Sequence, residues 1–241
     1  MARAVIVCGA EINNYERARD SITPGDFIVF CDCGLAHVEG LKVTPDLIVG
    51  DFDSYENPEF YGHVADDGKN KRSDDSDVCS VTFDPNELGK KYDCEIIALP
   101  REKDDTDSMY AIKECIKRGF DELVILGAIG GRMDHTLVNL YALKFIYDSG
   151  VKASIIDDYE QITLSGPSDT TYISREFAYF SLIAIAGEAQ GVTIKNAKYN
   201  LDNGTITPAY QYASSNEVAE GCESACVTLK SGVLAVICVS G

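Results

Sequence analysis

Short apolar runs alternate with amphipathic stretches through the first two thirds of the chain, an order that predicts βα units feeding a parallel sheet. The expected strands cover residues 3–8, 26–31, 46–49, 94–99, 122–126 and 153–156. A helix is expected over residues 136–148, with Leu137, Leu140, Tyr141 and Phe145 on one stripe and Gly150 placed to end it. A second is expected over residues 106–118, with Met109, Ile112 and Ile116 facing inward and Gly119 as its stop. After about Asp157 the helical period is lost, and short alternating segments recur at 161–164, 170–173, 179–185, 192–195, 225–230 and 233–239. The fold class is therefore α/β, a parallel-sheet domain over residues 1–157 followed by an all-β sandwich domain over 158–241. Residues from about 56 to 93 fit neither pattern. Their centre, 66–77, is a run of Asp, Lys, Arg and Ser too charged to pack, which predicts a mobile surface insertion. Calcium binding there is the weaker reading, because the spacing does not match an EF-hand loop.

Composition narrows the function. The 241 residues are 45% hydrophobic and 25% charged, a globular balance with enough chain to bury a core. The longest apolar runs, such as 233–239, are too short to cross a bilayer, and no signal-peptide pattern opens the chain, so a soluble cytoplasmic protein is expected. With 39 acidic against 21 basic side chains the net charge is −18, a field that repels nucleic acid and anionic lipid. A polyphosphate could be held only through a metal, a few local cations and backbone amides. The nine cysteines include no CxxC pair; the close pairs Cys31/Cys33 and Cys222/Cys226 lack zinc-site spacing, so reduced thiols in a reducing compartment are expected.

Ligands of open parallel sheets bind beyond the carboxyl ends of the strands, so the residues that follow each strand carry the chemistry. Here those residues are repeatedly aspartate: Asp32, then Asp51 and Asp53, then Asp104, Asp105 and Asp107, then Asp134. One such residue is commonly a helix cap. Several carboxylates at one rim repel unless a cation joins them, which predicts a divalent metal, and oxygen-only ligation points to Mg²⁺ or Mn²⁺. The run Gly130-Gly131-Arg132 offers backbone amides and a forked cation to phosphate oxygens, with Lys103 able to add a charge from the neighbouring loop. His135 is expected to be a structural or phosphate contact, since His37 and His63 show no zinc-ligand spacing with it.

The segments Gly50-Asp51-Phe52-Asp53-Ser54, Lys103-Asp104-x-Thr106-Asp107 and Gly127-Ala128-x-Gly130-Gly131-Arg132-x-Asp134-His135-x-Leu137-x-Asn139-Leu140 resemble, in order, the three signature blocks of the thiamine pyrophosphokinase (thiamine diphosphokinase) family. The likeness extends to Gly191-Val192-Thr193-Ile194-Lys195, Tyr199-Asn200-Leu201 and Ser215-Asn216-Glu217, which are similar to its thiamine-binding β domain. It covers most of the chain outside the polar insertion.

The resemblance implies a nucleotide-binding α/β domain, a β-sandwich and a homodimer whose active sites lie between subunits. It also implies an enzyme that moves the pyrophosphoryl group of ATP to the hydroxyl of thiamine, giving thiamine diphosphate and AMP. Asp32, Asp51, Asp53 and Asp104 would form the Mg²⁺ and catalytic group, with Arg132 and Asp134 in the same cleft. Lys103, Asp107, Gly130, Gly131, Arg132 and His135 would bind the nucleotide, and Asp104 or Asp53 would accept the alcohol proton. Tyr199, Ser215 and Asn216 would line the thiamine pocket and be contributed to the partner's nucleotide site. Two positions depart from the family pattern. Cys33 stands within Asp32-Cys33-Gly34 where Asp-Gly-Gly is common, and Tyr199 stands where tryptophan is frequent. The rival readings are a pyrophosphokinase for another hydroxymethyl heterocycle, such as a pterin, and a non-catalytic nucleotide sensor.

Overall fold

The computed structural model describes residues 2–52, 61–62, 82–83 and 85–241. In chain order the N-terminal part runs β1 (Arg3–Val7), α1 (Tyr15–Asp20), β2 (Phe27–Cys31), a tight 3-10 segment over Asp32–His37, α2 (Val38–Leu41) and β3 (Leu47–Gly50). It continues through a small antiparallel pair, β4 (Tyr61–Gly62) and β5 (Thr82–Phe83), to α3 (Pro85–Tyr92), β6 (Glu95–Ala98), α4 (Asp107–Lys117), β7 (Glu122–Leu126), α5 (Met133–Asp148) and β8 (Lys152–Ile156). Six strands pair in parallel in the order β8-β7-β1-β2-β3-β6. Both faces are covered, which is why strands such as Val-Ile-Val and Leu-Val-Ile-Leu are continuously apolar. Ala4, Ile6, Val29, Leu123 and Ile125 pack under α4 and α5, while Val5, Val7, Phe30, Ile48 and Val124 form the opposite core.

Beyond β8 the chain forms β9 (Glu160–Ser165), β10 (Thr171–Ser174), β11 (Tyr179–Ala184), β12 (Ala189–Lys195), β13 (Leu201–Ile206), β14 (Ser224–Thr228) and β15 (Leu234–Val239). Strands β9, β15 and β11 do not leave the first sheet. They extend it antiparallel from β8, giving nine strands in one sheet, so the sheet runs across residue 157. The remaining four pair as β10-β14-β12-β13. This second sheet lies against the extension: Phe180, Leu182, Leu234 and Val236 meet Ile173, Val192, Ile194, Ala225 and Val227 in a common core. The sandwich is present, and one of its layers is shared with the α/β part.

Two expectations are corrected. The stripe chosen on α5 is turned outward: Leu137, Tyr141 and Phe145 are exposed, Leu140 is only partly covered, and Asn139, Ala142, Leu143 and Ile146 are the buried positions. Close approach of helix to sheet selects this smaller face. The expected insertion ends earlier than residue 93, because α3 packs on β6 and buries Leu88. The charged run 66–77 lies outside the described residues. The eight described cysteines are free thiols. No described helix is long and apolar enough to cross a membrane.

Candidate active site

The strand order reverses at β1, which has β2 on one side and β7 on the other, so the loops after β1 and β7 diverge and open a crevice at their carboxyl ends. Before they diverge, the ends of the two strands are laced by backbone bonds: Cys8 N–H donates to Leu126 O at 2.8 Å and Ala10 N–H to Gly127 O at 2.8 Å. Gly127 has φ +60°, and a Cβ there would sit 2.5 Å from Cys8 O, so only glycine allows this approach. The crevice is lined by Gly9, Asp32, Cys33, Asp51, Lys103, Thr106, Asp107, Gly130, Gly131, Arg132 and His135, among others.

Asp32 follows β2 and is 3% exposed. Asp51 follows β3, and Gly50 makes room for the pair, since a Cβ at residue 50 would come within 2.7 Å of Asp32 Cβ. Asp107 opens α4, where Thr106 caps the helix by accepting from Met109 N–H at 3.2 Å. The helix end adds partial positive charge beside the Asp107 carboxylate. One oxygen from each of Asp32, Asp51 and Asp107 lies within 4.8 Å of the others. Three hard oxygen donors at this separation suit Mg²⁺ or Mn²⁺, so the donor set fits the expected cation. Lys103 Nζ bridges two members, donating to Asp51 Oδ2 at 2.7 Å and to Asp107 Oδ1 at 2.5 Å. Burial disfavours its charge, but the bonds to Asp107 and Asp51 outweigh this and hold the ammonium pKa above its ordinary value.

Asp107, expected to bind nucleotide, therefore stands in the carboxylate cluster. Asp104, expected in the metal set, does not: it is exposed and lies off the crevice lining. Asp53 lies outside the described residues.

On the opposite wall Gly130 and Gly131 take φ of 115° and 62°, conformations that glycine adopts without strain. Gly130 N–H is held by Thr136 Oγ1 at 3.1 Å. Arg132 and Asp134 are exposed and paired, Nη2 donating to Oδ2 at 2.6 Å. That bond, with His135 N–H adding to it, holds the Asp134 carboxyl down to about 2. His135 and Arg132 reach the crevice lining, whereas Asp134 is not part of it.

Asn139, to which the sequence assigns no role of its own, ties the walls together. Its Nδ2 donates to Ala128 O at 2.9 Å and its Oδ1 accepts from Ser108 Oγ at 2.9 Å, and Ser108 Oγ lies 3.0 Å from Thr106 Oγ1. A polar residue between Val138 and Leu140, within the apolar middle of α5, was the available signal. Cys33 has no positive φ, so the backbone here does not require the glycine common at that position, and its Cβ rests over Gly9.

The three residues expected at the thiamine pocket come together on the second half of the chain, away from the crevice. Asn216 is buried and structural: Tyr199 N–H donates to its Oδ1 at 3.0 Å and its Nδ2 donates to Tyr199 O at 2.8 Å. This clamp presents the Tyr199 ring, 62% exposed, to the outside. Exposed Ser215 adopts φ 52° beside it and donates its N–H to Ser181 Oγ at 3.0 Å.

Residues 19–155 match a family model described as "Thiamin pyrophosphokinase, catalytic domain", and residues 170–234 match one described as "Thiamin pyrophosphokinase, vitamin B1 binding domain". A curated protein named thiamine pyrophosphokinase, from Bacillus subtilis (strain 168), is 30% identical over 118 residues. That alignment covers 48% of this chain and 55% of the relative, so the chain spans about half the length of the curated relative it matches. The crystal structure of a thiamine pyrophosphokinase from Bacillus subtilis superposes with a TM-score of 0.78 at 22% identity, covering 99% of each chain. A thiamin pyrophosphokinase family protein from Enterococcus faecalis gives 0.73 at 25% identity, covering 100% of each. Yeast thiamin pyrophosphokinase gives 0.70 at 14%, covering 99% of this chain and 86% of that one.

Proposed function

From the premise that this chain belongs to the thiamin pyrophosphokinase family, we propose that it transfers the pyrophosphoryl group of ATP to the hydroxyl of thiamine, giving thiamine diphosphate and AMP. The observation that carries the reading is the meeting of Asp32, Asp51 and Asp107 across the crevice from a glycine-rich helix start. Asp32, Asp51 and Asp107 would hold a divalent cation, which when bound supplies charge neutralisation to phosphate oxygens. The Gly130 and Gly131 segment can approach the phosphate chain closely, and Arg132 is free to swing from Asp134 to a more strongly charged partner. Attack by the alcohol at the β-phosphorus needs alignment and charge stabilisation more than a covalent intermediate. Asp53, two positions beyond Asp51, is the candidate acceptor of the alcohol proton.

The acceptor side rests on the Tyr199 group. An exposed ring held by a rigid backbone clamp is suited to stacking on a flat cationic heterocycle. None of Tyr199, Ser215 and Asn216 lines the carboxylate crevice of the same chain, which supports a homodimer in which each subunit completes the other's site. The outward stripe of Met133, Leu137, Val138, Tyr141 and Phe145 beside the crevice supports the same arrangement, because such an apolar face asks for a cover. A reducing, cytoplasmic setting fits the free thiols.

The test is AMP release from ATP with and without thiamine and Mg²⁺. Release that requires both is expected. Release that follows a pterin alcohol instead reassigns the acceptor. ATP binding with no AMP from any acceptor identifies a sensor and refutes the enzyme reading.

A further inference from the structure

We propose that Lys103 is the resident counter-ion of the carboxylate cluster and changes places with the divalent cation: it binds Asp51 and Asp107 while the cluster is metal-free, and is released toward the nucleotide phosphates when the cluster is loaded. The inference rests on the metal-binding reading above. Its ammonium lies 2.7 Å from Asp51 Oδ2 and 2.5 Å from Asp107 Oδ1, two of the three carboxylates whose oxygens gather within 4.8 Å. The ammonium therefore occupies the groups a dication would need.

Three considerations favour exchange over coexistence. Two cations drawn to the same carboxylates a few ångströms apart repel strongly in a partly buried site, and the Lys103 side chain is only 16% exposed. An oxygen that donates its electrons to a dication has less to offer an ammonium. Lysine is also a compact charge on a flexible stem, so the ammonium can withdraw without backbone movement, which a rigid arginine fork in two bonds would resist. In the metal-free protein Lys103 keeps the carboxylates from repelling one another and holds them near their working positions. Once displaced, it is a new phosphate ligand that becomes available only in the loaded site. The crevice thus favours the nucleotide after the metal has entered. Lys103 is on this view a positioning residue whose second role depends on its displacement.

The alternative is a permanent strut, bonded to Asp51 and Asp107 in both states, and the two differ in sign. Mn²⁺ is titrated without nucleotide into the intact wild-type protein and into Lys103→Met, read by calorimetry or by the loss of free Mn²⁺ signal in electron paramagnetic resonance. Exchange removes a competitor, so K103M is expected to bind Mn²⁺ several-fold more tightly and a non-hydrolysable ATP analogue with Mg²⁺ several-fold more weakly. A strut predicts Mn²⁺ affinity lower by about tenfold or more in K103M, and that result, or an unchanged affinity, overturns the proposal. Absence of Mn²⁺ binding by either protein overturns the metal reading itself and is thereby distinguished from failure of the exchange. Wild-type protein alone supplies the second measurement. Acylation of Lys103 by an amine-reactive ester, followed by peptide mass spectrometry, should speed up on adding Mn²⁺; an unchanged or slower rate overturns exchange even if K103M fails to fold.

Discussion

Replacing Asn139 by leucine separates a packing role from a role in holding the crevice. The side chain is 9% exposed and makes two bonds, to Ala128 O and from Ser108 Oγ, each 2.9 Å long. Each bond contributes about 1 kcal/mol net, and a buried carbonyl stripped of its donor costs about 1–3 kcal/mol more. Ser108 keeps its contact with Thr106, so only the Ala128 carbonyl bears that second cost. The sum is about 3–5 kcal/mol. For a chain of this size each kcal/mol lowers Tm by about 2–4 °C, so a drop of roughly 6–20 °C is expected. The loosened segment leads directly into Gly130 and Gly131, so KM for MgATP should rise while KM for thiamine stays near its wild-type value. Urea and thermal unfolding measure the first effect, and steady-state AMP release with each substrate varied measures the second. A variant with an unchanged unfolding midpoint and an unchanged KM for MgATP refutes the argument that this asparagine fastens the two walls.

The Asp107→Asn variant is expected to lose Mn²⁺ binding and at least about a hundredfold in turnover, whereas Asp104→Asn should keep most of both; a larger loss in D104N would show that the crevice closes differently in solution. His37 gives a pH effect on stability. Burial, only partly offset by the bond to Ala10 O, lowers its pKa below 6.5, so the unfolded chain takes up the proton first. Stability should be full above pH 6.5 and fall as the pH drops below it toward the folded value, and His37→Gln should flatten this slope in urea unfolding from pH 7.5 to 5.5; an equally steep slope in H37Q counts against the assignment. Tyr141→Asp combined with Phe145→Asp should convert a dimer to monomers by light scattering and abolish thiamine-dependent AMP release, while monomers with full activity would remove the case for a shared site.

The strand segments were legible because a sheet covered on both faces demands unbroken apolar runs, and β7 over Glu122–Leu126 matches its expected range at both ends. β13 was not, since Leu-Asp-Asn-Gly-Thr-Ile alternates poorly and pairs with β12 through register shifts. The helices α1 and α2 are too short to show a helical period. The site was legible in kind, as carboxylates following strands, but not in detail. Asp104 and Asp107 lie three residues apart, and which of them enters the crevice depends on where Thr106 starts α4.

The linear order of residues determined that this protein has a parallel sheet, acidic turns at the ends of its strands and a glycine-rich helix start, because each of these is set by neighbours within a few positions. The tertiary structure alone decided which three carboxylates share one volume, which face of α5 is turned outward, and that β9, β15 and β11 continue the first sheet. These outcomes depend on distances between segments far apart in the chain, and local preference carries no information about such distances.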